Sequence, residues 1–299
     1  MGGKQKQSQR TKNNAKPSSS GRSAELLNSA FKLESGEAAS GGKVFPAIFP
    51  TLAAVNFDQG LNPEIAVCIK KLNKKDPITK IKALQELCDV VKKVTIDEVE
   101  AMLPSWTHFY KILTVDVDRK VRECTQLCHG AVVSALGRRA ARSLRSWAPA
   151  WLAARHDDHA PAAAAAQHAC PFPEHKLPEV MAFCKEEVMA ALAETLTANL
   201  DNKLAKKIPD PSERRVQVQR LQAAALCGAR GLAESLAPAH RAWLQDSLAP
   251  LLQHHAFWKL ANTDNPQLRA SWCGAASACC AVVATREGAG AGGGALVAR

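Results

Sequence analysis

Aromatic residues are scarce in this sequence. They make up 5% of its 299 residues, and Tyr110 is the single tyrosine. Sandwiches and barrels favour β-branched and aromatic residues in their strands, so this scarcity argues against both architectures. Hydrophobic residues still make up 46%, which excludes a chain that is disordered throughout. Good helix formers dominate the remainder, and the composition therefore predicts an all-α protein.

Long apolar runs are also missing. No apolar stretch reaches the roughly 18 residues that a membrane span needs. The N-terminus has no apolar region of the secretory type, and Lys6 stands where a myristoylation signal requires Ser or Thr. These features predict a soluble protein of the cytosol, in which the ten cysteines remain reduced and mostly buried. Cys124 and Cys128 share an apolar helix face without a second pair at partner spacing, so no metal site is predicted.

Motifs for catalysis are absent as well. The sequence contains no nucleophile elbow, kinase signature or His-Glu-x-x-His pair. Its glycine-rich stretch at residues 288–294 neither follows a predicted strand nor opens a helix, as a phosphate-binding loop does. No catalytic residue and no cofactor is therefore predicted in this chain.

Acidic residues are outnumbered, with 28 Asp and Glu against 39 Lys and Arg and a formal net charge of +11. Residues 1–24 contain no acid and too little apolar surface to fold, which predicts a disordered basic arm. Its basic residues are Lys4, Lys6, Arg10, Lys12, Lys16 and Arg22. The arm is either a solubilising tail or a flexible contact to RNA or another polyanion.

Helical periodicity begins near residue 64 and repeats. A shift of about 40 residues places Asp76 on Asp116 and Leu87 on Leu127. A third copy of the turn follows at Asn265. A period of this length is typical of HEAT-type repeats, in which each helix pair buries its apolar face against its neighbours. We therefore predict a HEAT/ARM-like helical-repeat solenoid over residues 44–283. Residues 1–43 are the predicted arm and linker, and residues 284–299 are expected to be a disordered or artefactual Gly/Ala-rich tail.

Basic residues cluster at equivalent turns of the first two repeats. Equivalent positions of a stacked solenoid line up along one edge, so these residues are predicted to form a stripe for phosphate contact. They are Lys70, Lys71, Lys74, Lys75, Lys80, Lys82, Arg119, Lys120 and Arg122. The alternative is that they are ordinary solvated charges on helix faces.

Several short motifs occur in a characteristic order along the chain. They stand at residues 1–4 (MGGK), 9–12 (QRTK), 16–22 (KPSSSGR), 71–76 (KLNKKD), 79–86 (TKIKALQE), 103–106 (LPSW), 118–123 (DRKVRE), 182–187 (AFCKEE), 257–259 (FWK) and 266–269 (PQLR). In sequence and order these motifs resemble the listerin family of RING-type E3 ubiquitin ligases. The resemblance covers roughly residues 1–283 and concerns the N-terminal region of that family.

The resemblance implies a function in ribosome-associated quality control. Listerins ubiquitinate nascent chains stalled on the large (60S) ribosomal subunit, and their N-terminal region docks there beside the nuclear export mediator factor. Their C-terminal RING domain holds zinc and recruits the E2 ubiquitin-conjugating enzyme, and its Cys/His spacing does not occur in this chain. The expectation is therefore a ribosome-docking region without catalytic residues. The alternative is a non-enzymatic HEAT-repeat scaffold that binds RNA or an acidic protein.

Overall fold

The computed structural model describes residues 61–169, 172–205, 208–236 and 238–290, with the backbone alone for residues 285–290. This part of the chain contains no β-strand. Its α-helices are α1 (Pro63–Leu72), α2 (Pro77–Val91), α3 (Ile96–Leu113), α4 (Arg119–Leu136), α5 (Leu144–Ala154), α6 (Ala160–His168), α7 (Leu177–Phe183), α8 (Lys185–Thr197), α9 (Leu200–Leu204), α10 (Pro211–Ser235), α11 (Arg241–Gln253), α12 (His255–Lys259) and α13 (Pro266–Gly290). The prediction of an all-α fold is confirmed.

Helices pack in pairs, and the pairs stack. The helices α1 and α2, α3 and α4, and α5 and α6 each contact one another. The second helices stack in the order α2, α4, α6, while the first helices stack in the order α1, α3, α5, α8. Beyond α6 the regular stacking of helix pairs ends, because the long helix α10 packs on α5, α8 and α13. The result is a helical-repeat arrangement around one main hydrophobic core, as predicted.

Aspartate caps set the length of the repeat. The Asp76 carboxylate accepts a hydrogen bond from the backbone N–H of Thr79 (2.8 Å), and Asp118 accepts from those of Lys120 (2.8 Å) and Val121 (2.9 Å). Each carboxylate satisfies backbone donors that the first turn of a helix leaves free. The two caps lie 42 positions apart in the sequence. The predicted shift of 40 residues is therefore wrong by two positions.

This correction changes which side chains are equivalent. The shift of 40 paired Leu87 with Leu127, yet Leu87 is fully buried and Leu127 is 53% exposed. A shift of 42 pairs Leu87 with His129, which is 1% exposed. The apolar side chain and the imidazole thus occupy the same inward position of successive repeats. Residue type alone had favoured the leucine match.

An aromatic cluster fills the core around His129. Its ring stacks on Tyr110 with centroids 4.0 Å apart and meets the edge of Trp147 at 4.8 Å. The indole N–H of Trp106 donates to His129 Nδ1 at 3.3 Å. Nδ1 is therefore the acceptor, so the ring proton of the neutral imidazole lies on Nε2. Burial lowers the pKa of His129 to about 3.

His129 should make stability depend on pH. Its folded pKa lies below its usual value near 6.5, so the unfolded chain binds more protons and stability falls as the pH drops through the window from 6.5 towards 3. Between pH 7 and pH 5 this amounts to roughly 2 kcal/mol. Urea unfolding at both pH values should therefore show a smaller loss for His129→Gln than for the wild type. Replacement of the exposed His255 by Gln is the control. If all three proteins lost the same free energy of unfolding between pH 7 and pH 5, His129 would not be the source of the pH dependence.

The nine described cysteines are free thiols; five are buried, two are half-buried, and Cys273 and Cys280 are exposed. Cys124 and Cys128 are both buried, as expected for packing residues on one apolar helix face. Burial also raises the pKa of the Cys184 and Cys279 thiols to about 12. These buried side chains thus behave as small hydrophobic groups.

The last described helix runs further than predicted. Helix α13 continues to Gly290, whereas the sequence placed the end of the helical region at residue 283. Extending an existing helix adds one hydrogen bond for each residue fixed. Ala284, Arg286 and Glu287 are all good helix formers, which favours this extension. Although α10 and α13 each contain 25 residues, no helix in the described part of the chain is long and apolar enough to cross a membrane.

Candidate functional site

The predicted basic residues lie at the turns of the first two helix pairs. Lys70 and Lys71 end α1, and Lys74 and Lys75 occupy the turn before α2. Helix α2 carries Lys80 and Lys82, and α4 begins with Arg119, Lys120 and Arg122. Since α2 packs on α4, the two turns lie on one edge of the stack. The structure therefore places these residues on neighbouring turns, but it divides them into paired and unpaired charges.

Three of the lysines form ion pairs within the protein. Lys71 Nζ lies 2.5 Å from a Glu86 carboxylate oxygen, and Lys120 Nζ lies 2.6 Å from Glu123. Hydrogen bonding to these glutamates raises the pKa of both lysines. Lys80 pairs with Asp116 at 2.6 Å, and its side chain is only 16% exposed. These charges are at least partly neutralised before any ligand arrives.

Arg122 is buried, and its prediction as a phosphate contact is wrong. Its Nε and one terminal nitrogen donate to the two Asp157 carboxylate oxygens at 2.8 and 2.9 Å. That same terminal nitrogen donates to Asp158, and the other one donates to the carbonyl oxygens of Asp116 and Val117. The Arg122 side chain is 4% exposed and that of Asp157 is 3%. An ion in this position must be paired inside the protein, because burying it unpaired costs several kcal/mol.

The 42-residue repeat explains why Arg122 turns inward. Under this shift Arg122 is equivalent to Lys80. Each reaches an aspartate of the following pair: Lys80 contacts Asp116, and Arg122 contacts Asp157. The basic residue four positions after the cap thus connects one repeat to the next, and the erroneous shift had matched Arg122 with the solvent-facing Lys82.

The remaining basic residues form an exposed cluster, which we call the basic edge. It consists of Lys70, Lys74, Lys75, Lys82 and Arg119, all of which are exposed. Lys74, Lys75, Lys82 and Arg119 form no ion pair with any residue that the structure describes. Hydrogen bonds from the hydroxyl and backbone of Thr79, together with the charge of Lys82, lower the pKa of nearby Asp76. The basic edge is shorter than the predicted stripe and belongs mainly to the first helix pair.

The basic arm lies outside the described residues, so Lys4, Lys6, Arg10, Lys12, Lys16 and Arg22 keep their status as predictions. Zinc chemistry finds no support among the residues that the structure does describe. There, no three His, Cys, Asp or Glu side chains converge in a way that could hold a metal ion.

Sequence reasoning missed Arg220, which completes the cluster around Asp157. It lies 3.5 Å from the Asp157 carboxylate, and its Nε donates to Gln217. Burial lowers the pKa of Arg220 to about 10. Gln217 in turn donates to the backbone carbonyl of Val115, so α10 is held against the turn between α3 and α4. No local pattern could reveal these contacts, because almost a hundred residues separate Arg220 from Arg122.

Comparison with known proteins gives one consistent match. The family model of the N-terminal domain of E3 ubiquitin-protein ligase listerin matches residues 58–286. The chain is 34% identical over 289 residues to E3 ubiquitin-protein ligase listerin of Gallus gallus, an alignment covering 94% of the chain and 16% of that protein. It is 32% identical over 292 residues to the listerin of Drosophila melanogaster, covering 91% and 16%. The listerin of Mus musculus is 32% identical over 289 residues, with 94% and 16% covered. The chain thus spans about a sixth of the length of these relatives.

Proposed function

Because the chain belongs to the listerin family of E3 ubiquitin-protein ligases, through its N-terminal domain, we propose that it is the ribosome-docking region of such a ligase. In this proposal it binds the large (60S) ribosomal subunit that carries a stalled nascent chain. The ligase then ubiquitinates that chain in ribosome-associated quality control, which leads to its degradation.

The observation that carries the docking proposal is the basic edge. Lys74, Lys75 and Lys82 are exposed and pair with no described acid, so their charges are available to a ligand. Ribosomal RNA presents a dense array of phosphates, and each lysine that neutralises one releases a counterion. Contacts of this kind fix position without reading the base sequence, which suits docking at one place on a particle of fixed shape.

The proposed contribution to catalysis is positional. The repeat stack would hold one end of the ligase on the subunit, while a zinc-containing RING domain elsewhere in the ligase recruits the E2 enzyme in the cytosol. Tethering raises the effective concentration of that enzyme near the nascent chain and supplies orientation without chemistry by these residues. The nuclear export mediator factor is the proposed neighbour on the subunit.

Charge reversal at the basic edge should weaken binding. We expect the triple variant Lys74→Glu, Lys75→Glu, Lys82→Glu to lose about tenfold or more in affinity for 60S subunits carrying an obstructed nascent chain. The dependence on salt should become shallower, because fewer counterions are released. Co-sedimentation of the purified chain with these subunits at several salt concentrations measures both effects.

A matched control separates the basic edge from net charge. Arg138, Lys259 and Arg269 are exposed basic residues on other parts of the stack, and changing all three to Glu alters the net charge equally. This control should retain most binding. If the control binds 60S subunits as weakly as the basic-edge variant does, or if both variants bind like the wild type, the basic edge is not the docking site. Equal binding to intact ribosomes, 60S subunits and free RNA would favour the scaffold alternative instead.

A further inference from the structure

A partly enclosed groove lies where the regular stacking changes. It runs between α5, α7, α8 and α10 and has a volume of about 220 Å³. Apolar side chains form most of its walls, among them Leu152, Met181, Val188, Leu192 and Leu221. Helix α10 packs on α5, α7 and α8, and the groove lies among these four helices. It shares no residue with the basic edge and so concerns a separate surface.

Gly231 lies in the groove wall, and packing against the described residues does not require it. It stands inside α10, where glycine costs about 1 kcal/mol relative to alanine. A Cβ atom placed on Gly231 would meet no atom of the described residues within 4 Å. Gly228, one turn earlier, differs because its Cβ would lie 3.0 Å from Leu192. A helix-weakening glycine beside open space keeps the groove wide, which points to an occupant that is not part of the described fold.

One positive charge lines the groove. Arg155 is among its lining residues, and no carboxylate is among the described residues that line it. Burial and the charge of Arg155 lower the pKa of His156, the other basic lining residue, which is therefore neutral at pH 7. The Arg155 guanidinium lies 5.4 Å from the Trp151 ring centroid and forms no ion pair with a described residue. The neighbouring Asp157 is directed to Arg122. The groove therefore offers a mostly apolar lining with one cation, which complements a ligand that joins an apolar group to an anion.

The volume limits the size of that apolar group. Clefts that hold drug-sized ligands measure about 300–1,000 Å³, whereas a cavity of about 150 Å³ accepts benzene. At about 220 Å³ this groove suits one bulky side chain, with the rest of its bearer on the surface. We propose that it receives a segment of another protein in which an aromatic or branched aliphatic side chain lies beside a carboxylate. The segment anchors that side chain between α8 and α10 and pairs its acid with Arg155.

Two fluorescent dyes test the chemistry of the groove. The probes are N-phenyl-1-naphthylamine, which is neutral, and 8-anilinonaphthalene-1-sulfonate, which adds an anion to the same aromatic frame. The full chain should bind both, and the anionic probe more tightly. Arg155→Gln should lower the affinity for the anionic probe about threefold to tenfold and leave that for the neutral probe unchanged. Equal effects on both dyes would overturn the role of the charge.

Filling the groove should weaken binding of both dyes. Gly231→Leu and Ala153→Leu narrow it from α10 and α5, and each should reduce the affinity at least tenfold. Gln222→Leu places the same side chain on α10 at a position that does not line the groove, and this variant should bind like the wild type. Circular dichroism and urea unfolding establish that each variant is folded. If both folded groove variants still bind the dyes, the groove is not the binding site.

Peptide binding and the oligomeric state of the chain test whether a segment of another protein occupies the groove. A short acetylated and amidated peptide with one Trp between two Glu residues should shift the methyl NMR signals of Met181 and Leu192, and the same peptide with Lys for Glu should bind more weakly. Equal binding of the two peptides, or binding of oleate in preference to the acidic one, would overturn the protein-segment proposal. A wild-type dimer that Gly231→Leu converts to a monomer would make the groove an interface between copies of this chain and would overturn it too.

Discussion

Arg122→Met should destabilise the fold by about 3–5 kcal/mol at neutral pH, because it leaves the buried Asp157 carboxylate without its principal counter-ion. Burial alone would raise the pKa of Asp157, but hydrogen bonds from Arg122 and its charge hold that pKa below its usual value. Arg220 remains 3.5 Å away and can offset only part of the loss. Urea unfolding followed by circular dichroism measures the difference.

Two further variants define the origin of this effect. Arg122→Lys keeps the positive charge but loses the paired N–H donors of the guanidinium. Its free energy of unfolding should therefore fall between those of the wild type and Arg122→Met. Adding Asp157→Asn to Arg122→Met should recover part of the stability, because the unpaired charge is then gone. The deficit of Arg122→Met should also shrink as the pH falls and Asp157 becomes protonated. A deficit that neither Asp157→Asn nor low pH reduces would mean that lost packing, and not charge burial, destabilises the variant.

Trp151→Ala should cost a similar 3–5 kcal/mol, because it removes a large side chain from the centre of the core. Trp151 is fully buried and packs edge-to-face on Trp147 at a centroid distance of 6.0 Å. Its indole N–H donates to the carbonyl of Ala166 at 2.8 Å, which fixes α5 against α6. Loss of the ring therefore leaves a cavity and an unpaired buried carbonyl together.

Two comparison variants test the contributions of the hydrogen bond and of burial to this loss of stability. Trp151→Phe keeps most of the apolar ring but cannot donate to Ala166, so it should cost about 1–3 kcal/mol. Trp258→Ala removes the same type of side chain at a site that is 44% exposed, and it should cost less than half as much as Trp151→Ala. If Trp258→Ala and Trp151→Ala proved equally damaging in urea unfolding, the placement of Trp151 at the centre of the core would be wrong.

Much of the fold could be predicted because its signals are local. Asp76 and Asp118 cap their helices through donors two or three residues away, and an apolar face is visible within a single helix. The repeat length does not follow from residue type, since Asp116 and Asp118 are of the same type and both precede α4. The structure decides between them because Asp116 pairs with Lys80 of the preceding repeat. That choice moved the repeat from 40 to 42 residues and reassigned Leu127 to the surface.

The candidate site was predicted in part for the same reason. Sequence alone indicated that basic residues cluster at the turns, and Lys74, Lys75 and Lys82 do lie exposed on one edge. It could not distinguish them from Arg122, because a charged side chain carries no local mark of whether it faces water or an acid 35 residues away. The groove was invisible too, since residues of four helices line it and only their packing brings them together.

The amino-acid sequence by itself determined the helical class, the repeat of capped helix pairs, the excess of positive charge and the family to which the chain belongs. These properties follow from residue type, short-range hydrogen bonds and spacing along one helix. Tertiary structure alone decided which basic residues remain available, how Arg122 and Arg220 share the buried Asp157 carboxylate, and where α10 leaves a groove. Those outcomes depend on the burial of charges and on contacts between distant segments, whose energies exist only once the helices have packed.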